Sequence, residues 1–208
     1  MCIRDRSMSS TYPSSLPSPG RTGRIAVPPA VTIMAVGVFA AGTSEFMPSG
    51  LLPAIARDFA IDIPHAGLTV SIFAIGMVIG GLLSALATTR WSQRSLLLSA
   101  IVTLAIGHVI GALASSFEGL LVSRLVSALA TGAFWTIAAV VAVTITPEGA
   151  RARALARLVG GMTLANIIGV PLGTAIGQDH GWRITFWAVA VIASLAACAV
   201  YALSLIHI

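Results

Sequence analysis

Six apolar runs, at roughly 27–52, 66–88, 96–114, 120–144, 155–176 and 184–202, divide most of this 208-residue chain. Each is about 20 residues or more, the length an α-helix needs to cross the hydrocarbon core of a bilayer. Hydrophobic residues make up 57% of the chain and charged residues 9%, against about 25% charged in an ordinary soluble domain. One water-exposed core could not be covered by so little polar surface, so the solvent for 27–202 is lipid. The fold class expected is all-α, a polytopic membrane protein of six transmembrane helices. The net charge of +5 comes from arginines alone, scattered between the apolar runs, which argues against nucleic acid as a partner and for topology signals. Cys2 and Cys198 have no metal-ligand spacing and no neighbouring histidine, so neither a disulfide nor a metal site is expected.

The two ends read differently from the rest. Residues 1–6, MCIRDR, can be coded ATG TGT ATA AGA GAC AG plus one base, and residues 203–208, LSLIHI, can be coded CTG TCT CTT ATA CAC ATC. The first run is contained in the reverse complement of the second, a relation that resembles the mosaic-end adapter of transposon-based sequencing libraries. Both hexapeptides are therefore expected to be translated adapter, outside the fold. Residues 7–26, rich in Ser and Pro with Arg21 and Arg24 just before the first apolar run, are expected to be a disordered cytoplasmic tail. With that tail inside, Arg90 and Arg94 share one cytoplasmic loop and Arg151, Arg153 and Arg157 surround the next. The excess of arginine on that side satisfies the positive-inside rule, so the N-terminus is expected in the cytoplasm.

Several residues within the spans invite chemistry. Glu45 lies well inside the first, where a charge costs about 2.5–3.5 kcal/mol on insertion scales. A carboxyl group avoids that cost by holding a proton, which makes Glu45 a candidate proton or cation site; the bland alternative is a protonated side chain in a helix-to-helix hydrogen bond. Pro48 follows and cannot donate to the Ser44 carbonyl, so a kink with a free acceptor is expected beside Glu45. Arg124, in the fourth span, cannot shed its charge and needs carbonyls, a carboxylate or water; its place near the outer end leaves snorkelling open. Asn166 and His108 either face a cavity or make one interhelical hydrogen bond. Gly76 and Gly80, Gly107 and Gly111, and Gly169 and Gly173 are each four apart on one helix face, the spacing that lets backbones approach. Gly169, Pro171, Gly173 and Gly177 together predict a bend or close-packed seam in the fifth span.

Three stretches then carry a resemblance: GTSEFMPSGLLP at 42–53, GVPLG at 169–173 and GWRITFW at 181–187. Together they resemble the major facilitator superfamily, and within it the drug:proton antiporter branch that holds chloramphenicol-resistance exporters and arabinose-type efflux permeases. The resemblance covers about 31–202 and implies the N-terminal six-helix half of a twelve-helix transporter, with a second six-helix half as partner. It further implies a bacterial inner-membrane location, a small-molecule substrate, and a proton gradient as the coupling ion in place of any cofactor. Matched position by position, Gly169, Pro171 and Gly173 sit on the antiporter signature, Arg124 on the fourth-span arginine implicated in proton coupling, and Glu45 on the first-span acid of several multidrug members. In the loop after the second span only the basic positions Arg90 and Arg94 remain, with Thr89 where the family has an acid, and Ala128 replaces a glycine after Arg124.

The function these residues imply is proton-coupled efflux of a drug-like molecule of the chloramphenicol type by alternating access, with sugar efflux of the arabinose type as the alternative. An intramembrane enzyme is not expected: Ser49 lacks a nucleophile context and no span pairs it with His108. A six-helix scaffold would require a native stop after the sixth span.

Overall fold

The computed structural model of the chain describes residues 26–206, so the expectations for 1–25 and for 207–208 lie outside the described residues. Six helices or helical segments within it are long and apolar enough to cross a membrane, and no strand occurs among the described residues.

The first span is α1, Pro29–Asp58, which begins with a proline in its first turn, where no backbone donor is needed. It runs unbroken through Pro48 and Pro53, past the end near residue 52 that the apolar run predicts. Each proline deletes one ladder bond, but Leu51, Ile55 and Ala56 are buried beyond the first of them, so packing carries the helix on. Ala60, at φ 52°, closes it: the Ile61 amide reaches back to the Ala56 carbonyl at 3.0 Å. A single turn, α2 (Ile63–Ala66), follows, capped by Asp62, whose carboxylate accepts from the His65 amide at 3.1 Å. The second span is completed by α3, Leu68–Ala87. The third is α4, Gln93–Ala112, capped by Ser92, and the fourth is α5, Phe117–Thr144, capped by Ser116.

The fifth span is not one regular helix. A 3₁₀ turn, Glu148–Ala150, leads into α6, Arg151–Leu164, then a π-helical turn, Ala165–Gly169, and α7, Val170–His180. The irregularity predicted around Gly169 to Gly173 thus falls one turn earlier. Pro171 has no N–H for the Ile167 carbonyl, and the ladder adjusts ahead of it, with the Val170 amide reaching back five residues to Ala165. Gly181, at φ 95°, reverses the chain in one residue, and α8 (Trp182–Ile206) forms the sixth span.

In the bundle α5 packs against α3 on one side and α4 on the other, α4 against α8, and α1 against α8 and the α6–α7 span, with α1 also crossing α5. All three predicted glycine pairs lie at helix contacts. Gly76 and Gly80 face Ala128 and the Leu129 backbone of α5, Gly107 and Gly111 face Ser127 and Ser123, and Gly169 and Gly173 face Thr43, Met47 and Thr185. Ala128 therefore meets a glycine on α3, Gly76, where an added Cβ would crowd its methyl group. A glycine not predicted, Gly132, lies against the Met77 carbonyl and the Gly81 amide, so α3 and α5 touch backbone to backbone.

Candidate functional site

Glu45 sits on α1 half-buried, eight residues before Pro53 and three before Pro48. Its Oε2 is enclosed and has no hydrogen-bond partner. The neighbouring Ser44 is buried too, and its hydroxyl is likewise unpartnered, beside the carbonyl that Pro48 leaves without its ladder donor.

Arg124 is fully buried and does not snorkel. Its guanidinium lies over the Phe73 ring at 4.1 Å, and its Nε donates to the Thr69 carbonyl at 3.5 Å. Neither Nη has a partner. Thr69 and Phe73 are one turn apart on α3, and the glycine contacts that draw α3 onto α5 place that turn under Arg124. Glu45 and Arg124 lie within electrostatic reach of each other without a direct ion pair. Two unpartnered charged donors and one unpartnered carboxyl oxygen are thus buried in the same bundle, and each such group costs about 1–3 kcal/mol if nothing completes it.

Of the remaining expected residues only His108 lies within the same electrostatic reach of Arg124, beside Ser127 one turn along α5. Asn166 is exposed, within the π turn, and its amide donates to the Met162 carbonyl at 3.0 Å, so it neither faces an enclosed cavity nor bonds across to another helix. Arg90 and Arg94 are exposed at the α3–α4 connection, and Arg94 borders an apolar cavity of about 530 Å³ between the ends of α1, α4, α5 and α8. Pro48 is buried on α1, while Gly169 packs on Thr43, just before Glu45. Gly173 is buried under Met47 and Thr185, whose hydroxyl donates to the Gly173 carbonyl at 2.9 Å. Pro171 begins α7. His108 is buried, its Nδ1 2.9 Å from the Leu104 carbonyl, and its ring packs against Phe186.

Sequence reasoning missed a cluster at the other end of α1. Asp58 accepts from the Trp182 indole N–H at 3.0 Å and forms an ion pair with Arg183; a second Arg183 nitrogen donates to the Ala114 carbonyl at 3.0 Å. The guanidinium stacks on Trp182 at 4.3 Å, and Phe59 and Phe117 close the aromatic group. In the sequence Arg183 stands only as part of the GWRITFW stretch at 181–187. The signal was the tryptophan beside it, since an indole at a helix start brings a donor that burial obliges to find an acceptor.

Residues 34–206 match the Major Facilitator Superfamily. The chain belongs to this superfamily. Its members are transporters and not enzymes. Among curated relatives, a chloramphenicol resistance protein of Streptomyces lividans is 45% identical over 159 residues, 76% of this chain and 41% of the relative. The putative transporter AraJ of Escherichia coli K12 is 39% identical over 158 residues, 76% of this chain and 40% of the relative. The chain thus spans about two fifths of the length of the curated relatives it matches. Among solved structures, a peptide transporter POT bound to alafosfalin superposes with a TM-score of 0.75 at 15% identity, over 84% of this chain and 38% of that one. The proton:xylose symporter XylE superposes with a TM-score of 0.70 at 20% identity, over 83% and 44%. At those identities the agreement concerns the fold alone: a bundle of membrane-spanning helices.

Proposed function

We propose that this chain is the N-terminal six-helix half of a proton-coupled exporter of small drug-like molecules of the chloramphenicol type, working by alternating access. The observation that carries the reading is Glu45, a carboxyl group held inside a membrane span with an unpartnered oxygen, in reach of the buried, unpartnered guanidinium ends of Arg124. A proton on Glu45 removes the charge that the span disfavours; its release leaves a carboxylate that Arg124 attracts. The two side chains lie on α1 and α5, so their attraction depends on how those helices sit, and protonation is linked to the position of the bundle. The 45% identity to a chloramphenicol resistance protein supports the substrate class.

The same reading gives the chain a second six-helix half as partner and the bacterial inner membrane as location, with the N-terminus cytoplasmic. Asn166, exposed on the fifth span, is then available to substrate or to the second half. Gly169, Pro171 and Gly173 shape the bend beside Glu45, and Arg90 and Arg94 act at the cytoplasmic loop. The test is transport by the full-length protein in proteoliposomes under an imposed pH gradient, with chloramphenicol as substrate. Glu45→Gln should abolish gradient-driven export while substrate exchange without a gradient persists. Full gradient-driven export by the variant removes Glu45 from the mechanism, and absence of chloramphenicol transport by the unaltered protein removes the substrate class.

A further inference from the structure

We infer that Asp58, Trp182 and Arg183 are positioning residues for Glu45, tying the far end of α1 to α8 and to the α4–α5 connection so that the proline-weakened half of α1 holds its place. The inference rests on the functional reading of Glu45 given above.

Glu45 and Asp58 are separated along α1 by about 20 Å at the rise of an α-helix. Between them Pro48 and Pro53 each remove a backbone donor, leaving the Ser44 and Ser49 carbonyls without their ladder bonds. A helix interrupted twice in so short a distance bends readily, so its own hydrogen bonds do not fix the direction of its outer half. What remains is packing and the end. The packing is close but made of small contacts: Met47 against Gly173, Gly50 against Thr174, and Leu51 against Gly177. At the end, one carboxylate oxygen of Asp58 takes both the Trp182 indole and an Arg183 nitrogen.

The cluster is built to be specific. Gly181, the single residue at φ 95°, turns the chain so that Trp182 and Arg183 open α8 directly beside the end of α1. Trp182 is 3% exposed, so its N–H cannot exchange Asp58 for water without disturbing the aromatic group it shares with Phe59 and Phe186. Arg183, stacked on that ring, uses its remaining reach on the Ala114 carbonyl. A lone exposed ion pair contributes little, but a fork of charge-assisted bonds on a buried ring joins three connections at one point.

The test uses the full-length protein in a background without other cysteines, carrying Leu51→Cys, a position with no exposure here. Arg183→Gln and Asp58→Ala should each raise the maleimide labelling rate at that cysteine by about fivefold or more through local opening. They should also reduce pH-gradient-driven export while leaving substrate exchange. The charge exchange Asp58→Arg with Arg183→Asp should recover part of both. Trp182→Phe, which keeps an aromatic ring, though a smaller one, and drops the N–H donor, should show a smaller rise and serves if the stronger variants do not fold. Unchanged labelling in the variants that fold, or increased labelling with gradient-driven export intact, overturns the inference while Glu45→Gln keeps its expected effect. Retained gradient-driven export in Glu45→Gln instead overturns the functional reading, and the positioning role falls with it.

Discussion

Arg124 shows how a single side chain can be both costly and retained. It is the largest fully buried side chain among the described residues, with one long hydrogen bond, one aromatic face and two unpartnered nitrogens. Arg124→Lys keeps the charge but loses the planar group over Phe73 and the Nε bond to Thr69, so gradient-driven transport in proteoliposomes should fall by tenfold or more, which corresponds to about 1.4 kcal/mol. Equal activity of the lysine variant would show that only the charge matters. Glu45 and Arg124 were both legible in the sequence, because an ionisable residue inside an apolar run stands out against its neighbours. The direction in which Asn166 faces was not legible in this way: polarity within a span says nothing of which face a helix turns outward, and the π turn shifts that phase. The Asp58 cluster escaped because its members lie 124 and 125 positions apart in sequence, and a carboxylate beyond an apolar run looks like any solvated helix end.

At the scale of the elements, the number of spans, their order and their glycine contacts could be read in advance, since lipid imposes length and apolarity on any helix that crosses it. The closeness of α3 and α5 could be read only on the α3 side. A Cβ at Gly132 would collide with the Met77 carbonyl, a backbone atom that cannot rotate away. Gly132→Ala should therefore lower the thermal unfolding midpoint by the equivalent of about 1–3 kcal/mol, whereas Gly160→Ala, with open space around it, should leave it unchanged or raised. The π turn carries an expectation of a different kind. Ile167 and Ile168 are exposed within it, so either should accept leucine. Deleting one of them removes the extra residue that a π turn carries, so Arg151–Leu164 keeps its register with α7 and Gly161 keeps its place on the Ala35 backbone. Folded yield, measured by size-exclusion chromatography, should hold for both the deletion and the substitution, and a loss in the deletion alone would show that the turn needs its extra residue.

For the molecule as a whole, burial is uneven. The second and fifth spans have the least of their length inside the bundle, and α3 presents Ile75, Val78, Leu82 and Leu86 outward, as the fifth span does Val159, Leu164, Ile167 and Leu172. These are the faces that lipid or a second six-helix half would cover. Orientation can be tested on the same scale: in intact cells, cysteines placed at Asp179 and at Arg151 should differ, the first reacting with an impermeant maleimide and the second only after permeabilisation. The reverse pattern would invert the arrangement proposed. The tie at Asp58 and Arg183 also gives the bundle two unlike ends. Where that tie sits, three connections share one anchored point; at the opposite end, among the described residues, the side-chain bond between different helices is the Arg157 to Thr32 contact at 3.4 Å, while Glu148 to Arg151 and Ser92 to Ser95 are each local. A body fixed at one end and loosely held at the other moves as a fork does, with its tines swinging about the stem, so amides near 58–61 and 114–117 should exchange with deuterium more slowly than those near 88–92.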